Sequence, residues 1–124
     1  MPSIGSTRID DTSASGRGIV IETTNSISVN PLVESVVLSQ VVPTGEVWRL
    51  KYAEVACRGF GKWQIKIDGI RVGGGLTNAA KDHDRTDLPD FFDVISGQTV
   101  EVLYLYSHGP ASISIDVFVG AVVI

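Results

Sequence analysis

The run Asp82-His83-Asp84-Arg85-Thr86-Asp87 holds the densest group of metal-ligating side chain types in the chain. Asp82, Asp84 and Asp87 are the oxygen donors a calcium site would use, because calcium collects hard oxygens from spaced acids. The spacing departs from a helix-loop-helix calcium loop, which needs a central glycine and a closing glutamate. A transition metal would ask for a second imidazole, and His108 lies far along the chain. The run therefore reads as an acidic, solvated loop, and no metal or cofactor is expected.

Nucleophilic chemistry needs a Ser or Cys beside a base that a third group orients. Serines and aspartates are plentiful, and His83 and His108 are available, but no Gly-x-Ser-x-Gly elbow or similar motif places them together. Acids this abundant could pair anywhere, so their number is no signal for glycoside hydrolysis. Gly73-Gly74-Gly75 lacks the Lys-Ser/Thr ending and the following helix of a phosphate-binding loop. The single cysteine, Cys57, excludes an internal disulfide and a Cys-rich zinc site; it reads as a small buried apolar residue. The expectation is a protein that is not an enzyme. Trp48, Phe60, Trp63, Tyr104 and Tyr106 could form a sugar-stacking platform. Trp48 and Trp63 share register with Leu and Ile neighbours and read as core; Tyr104 and Tyr106 stay open between core and platform.

The elements that would carry these residues are strands. Lys62 to Val72 reads as a tight hairpin about Asp68-Gly69, a pair suited to a turn whose central residues both need positive φ. The register then pairs Ile67 with Ile70, Ile65 with Val72 and Trp63 with Gly74, with the large apolar side chains on one face. On the other face Lys66 meets Arg71, an unfavourable like-charge pair. Water can screen it, or an acidic surface of a neighbouring subunit can dock on it.

Met1 to Arg17 is small and polar and reads as an extended N-terminal arm. Residues 18–124 read as one domain. Gly18 to Glu22 and Thr23 to Asn30 read as short strands. Leu32 to Val42 reads as a long one, with a bulge where Val36-Val37-Leu38 breaks alternation. Pro43-Thr44-Gly45-Glu46 is a turn. From Val47 to Arg58 the apolar parity changes, so a bulge or a change of sheet is expected near Tyr52. Leu76 to Asp90 reads as a long loop, and Phe91 to Ile95 as a strand. Val100 to Tyr106 is apolar on both faces, which suits a central strand or one covered by a partner. Ile113 to Val119 alternates, and Gly120 to Ile124 is an apolar tail that must dock in the core or in a subunit contact. Short strands between turn signals, without helical periodicity, give an all-β antiparallel β-sandwich. A jelly roll is preferred over an immunoglobulin-like Greek key.

Hydrophobic residues make up 44% and charged residues 19%, which excludes a disordered tail. A net charge of −4 argues against a nucleic-acid binder. No apolar run reaches the length of a membrane span, and the first residues lack the pattern of a secretory leader. Charge is split along the chain: Arg49, Lys51, Arg58, Lys62, Lys66, Arg71 and Lys81 precede Asp82, Asp84, Asp87, Asp90, Asp93, Glu101 and Asp116. The two blocks can neutralise each other within one sandwich or meet between copies in a ring.

Three segments resemble a known group: Val42-Pro43-Thr44-Gly45-Glu46-Val47-Trp48-Arg49-Leu50, Trp63 to Gly69, and Val94-Ile95-Ser96-Gly97-Gln98-Thr99-Val100-Glu101-Val102. Over roughly Val42 to Val119 the chain is similar to small β-sandwich virion proteins of tailed bacteriophages, especially capsid decoration (cement) proteins. The resemblance implies a structural role on the outside of the phage head. It further implies a homo-oligomer, a trimer above all, with the major capsid protein as partner and assembly in the host cytoplasm. It carries over no functional residue, since such proteins act through surfaces. From the residues themselves, Lys66, Arg71, Tyr104, Tyr106 and Ile124 are the interface candidates. The alternatives are a carbohydrate-binding or receptor-binding sandwich module, and another head–tail or tail component.

Overall fold

Asp68 and Gly69 both adopt positive φ, 47° and 82°, so the turn has the twist that two-residue hairpins favour. From Arg17 onward the described residues are folded about that turn. In the computed structural model, which describes residues 7–11, 17–88 and 92–124, all regular structure is strand. The strands are β1 (Thr7–Asp11), β2 (Arg17–Ser28), β3 (Ser35–Val41), β4 (Val47–Ala56) and β5 (Phe60–Ile67). They continue as β6 (Ile70–Thr77), β7 (His83–Asp87), β8 (Asp93–Ile95), β9 (Thr99–His108) and β10 (Ser112–Val123). β5 pairs with β6, β4 with β7 and β8, β3 with β9, and β2 with β10, all antiparallel. The paired residues lie symmetrically about positions 68–71 in each case.

The chain is thus one long antiparallel ribbon, rolled so that its turns fall in two sheets. One sheet runs β1-β2-β10-β4, with β7 and β8 both on the far side of β4; the other runs β3-β9-β5-β6. This is a β-sandwich with jelly-roll connectivity. The core lies between the sheets and is built by strict alternation. Val100, Val102, Tyr104 and Tyr106 point inward from β9, Trp63 and Ile65 from β5, and Ile115, Val117, Val119 and Ala121 from β10. Burying each large aliphatic side chain contributes about 1.5–3 kcal/mol.

β4 changes parity as its sequence requires. Trp48 and Leu50 are buried, then Ala53 and Val55. The register with β10 slips there, Gly120 facing Tyr52 and Ala121 facing Leu50, which leaves Lys51 as the extra residue of a bulge. The expected bulge in β3 is also present, between Val36 and Leu38.

Several expectations are corrected. The hairpin keeps the pairs Ile67–Ile70 and Lys66–Arg71, but Val72 bulges out, so Ile65 faces Gly73 and Trp63 faces Gly75. That slip turns Gly73 and Gly75 inward; a Cβ at Gly75 would collide with Asp84, and one at Gly73 would sit tightly at 3.1 Å from Leu88 and Thr86. The two short strands after residue 17 are one strand, β2, because its inward series Ile19, Ile21, Thr23, Asn25 and Ile27 never breaks period. The long strand read from Leu32 begins only at Ser35. The loop from Leu76 to Asp90 contains a strand, β7, which pairs with β4 despite its charge. Thr7–Asp11, inside the stretch read as an arm, pairs with Gly18–Glu22 of β2; the remainder of residues 1–16 lies outside the described residues. Of the strand read from Phe91, Asp93–Ile95 is formed.

Candidate functional site

Among the described residues, the four buried polar ones, Thr23, Asn25, Thr77 and Asp84, show where the potentially reactive groups go. Two sheets that meet face to face leave unpaired backbone groups along their edges. On one side, Thr23 Oγ1 and Asn25 Nδ2 of β2 donate to Val37 O of β3, at 2.6 and 2.7 Å. On the other side, Thr86 Oγ1 of β7 donates to Gly74 O of β6 at 2.9 Å, and Leu76 N of β6 donates to Asp84 Oδ2 at 3.0 Å. Alternate inward residues of β2 and β7 therefore latch the two open sides of the sandwich.

Asp84 does most here. Its Oδ2 also accepts from the buried indole Trp63 Nε1 at 2.8 Å, and its Oδ1 pairs with Lys81 Nζ at 2.9 Å. Burial acts to raise its pKa, but hydrogen bonds from Lys81 and Trp63, the Lys81 charge and the Leu76 amide outweigh it and hold the carboxyl below the usual carboxylate value. A side chain at Gly75 would drive its Cβ into Asp84 Oδ2, so that glycine makes room for the latch. Asp87 points the other way, exposed and paired with Arg85 at 2.9 Å, and Asp82 is exposed in the preceding loop. The three aspartates do not converge, and among the described residues no three His, Cys, Asp or Glu side chains are grouped to hold a metal. The histidines lie on different sheets: His83 pairs with Glu54, and His108 packs edge-on against Phe60 at 5.6 Å.

Tyr104 and Tyr106 are not surface rings. They are 1% and 2% exposed, because β9 is a central strand and their parity is that of Val100 and Val102. Neither can offer a face to a partner, which removes both from the interface candidates. The Tyr104 hydroxyl meets Thr77 Oγ1 at 2.7 Å, donates to Gly59 O at 3.2 Å, and accepts from Cys57 Sγ at 3.5 Å. Burial, with the neighbouring Cys57, pushes its pKa up, so it stays a neutral donor. Tyr106 donates to Pro110 O and so pins the β9–β10 loop; burial raises its pKa as well.

The outer face of β3-β9-β5-β6 is different. Lys62, Gln64 and Lys66 project from β5, Leu103 and Leu105 from β9, and Arg71 and Leu76 from β6. A groove of about 390 Å³ runs across it, lined by Glu34, Lys62, Gln64, Arg71, Leu76 and Leu105. Gln64 Nε2 donates to Glu34 Oε2 at 2.7 Å. A Cβ on Gly74 would lie 3.1 Å from Arg71 Nη2, so the guanidinium rests over bare backbone. Lys66 faces Arg71 on one side and Glu101 on the other, which relieves the like-charge pair. Among the described residues, no ion pair holds Lys62, Lys66 or Arg71. Elsewhere the rolled ribbon lays the basic middle of the chain against its acidic end, as in Arg49 with Asp93 at 2.9 and 3.1 Å, contacts that hold the Asp93 carboxyl below its usual value.

Ile124 is half-exposed, and its amide extends the last strand by donating to Val47 O at 2.9 Å. The groove residues Glu34, Lys62, Gln64, Leu76 and Leu105 were not singled out from sequence. The parity of Lys62, Gln64 and Lys66 was available there, but Leu105 and Glu34 arrive through the pairings of β9 with β5 and β3.

No family model and no curated protein sequence matches this chain. Among solved structures, the insecticidal delta-endotoxin Cry8Ea1 of Bacillus thuringiensis is similar over 82% of this chain, at 9% identity and a TM-score of 0.47. The chain spans about a fifth of that protein, 20% of its length.

Proposed function

We propose that this chain is a structural virion protein without catalytic function, a decoration protein that binds the outside of a tailed-phage head and braces its shell. In this reading it works as a homo-oligomer, a trimer, with the major capsid protein as partner. The observation that carries the reading is the outer face of β3-β9-β5-β6. It combines apolar Leu76 and Leu105 with Lys62, Lys66 and Arg71, cations without an ion pair among the described residues. An apolar floor whose rim sets three cations against Glu34 and Glu101 keeps a positive excess, which attracts and orients an acidic protein surface. The side chains able to do chemistry have structural work instead. Asp84 latches a sheet edge, Cys57 and Tyr104 bond one another, and His83 pairs with Glu54.

Within the segments that resemble decoration proteins, Trp48, Trp63, Val94, Val100 and Val102 are all core, so those segments support the sandwich, and the functional reading rests on the surface. A carbohydrate-binding module needs a platform of exposed rings, and of the five aromatic side chains proposed for one, Trp48, Trp63, Tyr104 and Tyr106 are inside, which leaves Phe60 alone at 43% exposed. The test is cosedimentation with purified heads of the phage that encodes the chain, together with the heads' disassembly temperature. Saturable binding that raises that temperature is expected. Binding to tails only, or to glycans only, would replace the proposal.

A further inference from the structure

The groove on the β3-β9-β5-β6 face already holds one carboxylate, and it belongs to this chain. Glu34 Oε2 accepts from Gln64 Nε2 at 2.7 Å, and both side chains line the groove together with Lys62 and Arg71. Other exposed carboxylates of the chain take cations: Asp87 pairs with Arg85 and Asp93 with Arg49, each at 2.9 Å. Glu34 takes a neutral amide instead. The two cations that share its groove have no ion pair among the described residues. The groove thus displays the chemistry it accepts, while the groups best able to hold a carboxylate stay unused.

The backbone on both sides of Glu34 is held. Before it, Val33 N donates to Asn30 O at 3.3 Å and Leu32 N to Asn30 Oδ1 at 3.2 Å; after it, Ser35 is paired with Tyr104. Glu34 is exposed, so its carboxylate can leave Gln64 by rotating its own side chain into water, with no movement of the loop. Gln64 stands between Gly74 of β6 and Leu103 of β9. The Arg71 guanidinium lies over Gly74, and Lys62 shares the outward parity of Gln64 on β5. A carboxylate seated on the Gln64 amide therefore has a cation to either side.

We propose that the groove takes an aspartate or glutamate side chain of the partner protein, seated on the Gln64 amide between Lys62 and Arg71, and that Glu34 is a stand-in which this side chain displaces. Two carboxylates on one amide repel each other, so entry of the second expels the first. Glu34 then acts as a selectivity device: a partner without a carboxylate in register breaks the Glu34–Gln64 bond and gains nothing in exchange. For the identity of the partner the inference rests on the capsid-binding reading; the chemistry of the groove does not.

The experiment first measures binding isotherms to purified heads for the full chain, Glu34→Ala, Gln64→Ala, the double variant and Glu101→Ala. Glu101 lies on the same face, against Lys66 and outside the groove, so its removal changes the charge equally without freeing Gln64. Glu34→Ala is expected to tighten binding about two- to tenfold, the factor one hydrogen bond is worth. That gain exceeds the gain from Glu101→Ala, and the difference persists at high salt, where general charge effects are screened. In the Gln64→Ala background the gain disappears. A second measurement uses poly-L-glutamate as the probe and follows the Gln64 side-chain amide by NMR. The amide signal moves as probe is added, and at lower probe concentration in Glu34→Ala. Unchanged or weaker binding by Glu34→Ala, a gain matched by Glu101→Ala, or a Gln64 amide that the probe leaves unmoved overturns the proposal. A Gln64 amide that responds to the probe while no variant binds heads upholds the carboxylate site and overturns the capsid reading instead.

Discussion

Replacing Asp84 separates its role as a latch from its charge. In Asp84→Ala, two donors lose their acceptor together: the buried Trp63 indole N–H and the Leu76 amide. An unsatisfied buried donor costs about 1–3 kcal/mol. The Leu76 amide, at a sheet edge, lies at the low end of that range, and the half-exposed Lys81 ion pair adds little. The loss should be about 3 kcal/mol. Asp84→Asn behaves differently, because Trp63 and Leu76 share one oxygen, Oδ2. The asparagine carbonyl can take that place and keep both bonds, losing only the Lys81 pair and the charge assistance, about 1 kcal/mol. Urea denaturation, with matching slopes to confirm two-state behaviour, reads both values. Equal losses for Ala and Asn would refute the argument, since they would mean that the carboxylate charge, and not the two donated hydrogen bonds, holds β7 to β6. The pH dependence follows from the same geometry. The folded pKa lies below the ordinary 3.8, so the carboxylate's contribution is whole above that value and is lost as pH falls through the lowered one. Wild-type stability should therefore drop below about pH 4, and Asp84→Asn should lack that part of the drop.

Gly75→Ala sets a Cβ against Asp84 Oδ2 and should cost about as much as Asp84→Ala; in the double variant the two losses should fall well short of adding, because they break one device, as equilibrium unfolding of all three chains would reveal. Tyr104→Phe removes a buried hydroxyl but leaves Thr77 donating to Gly59 O at 2.9 Å, so a loss of only about 1 kcal/mol is expected; calorimetry checks it, and a loss several times larger would mean that the Cys57–Tyr104–Thr77 cluster acts as a single cooperative unit.

The strands were legible where one face is buried, because alternation then leaves a period in the sequence. The Asp68-Gly69 turn, the parity change at Lys51 and the double-sided apolarity of β9 were all readable in that way. β7 was hidden, since in His-Asp-Arg-Thr-Asp the inward positions are filled by Asp84 and Thr86, polar residues that serve the edge of another sheet. The slip at Val72 was hidden as well; nothing local marks it, and its cause is the room that Trp63 and Asp84 need opposite Gly75. Tyr104 and Tyr106 were misplaced because their strand is apolar on both faces, and only the pairing with β3 and β5 decides which face is inside. The groove follows the same rule: Lys66 and Arg71 were visible from the hairpin alone, whereas Glu34 and Leu105 reach it through contacts distant in sequence.

The proposed capsid-binding surface is the face of Lys62, Lys66, Arg71, Leu76 and Leu105. The direct measurement is a binding isotherm to purified heads for the wild type and for the variant Lys62→Glu/Arg71→Glu. Both substituted side chains are exposed, so the two proteins should melt alike. The expected result is saturable binding by the wild type, weakening as salt is raised, and loss of at least tenfold in affinity on charge reversal. Equal binding by both proteins would contradict the account.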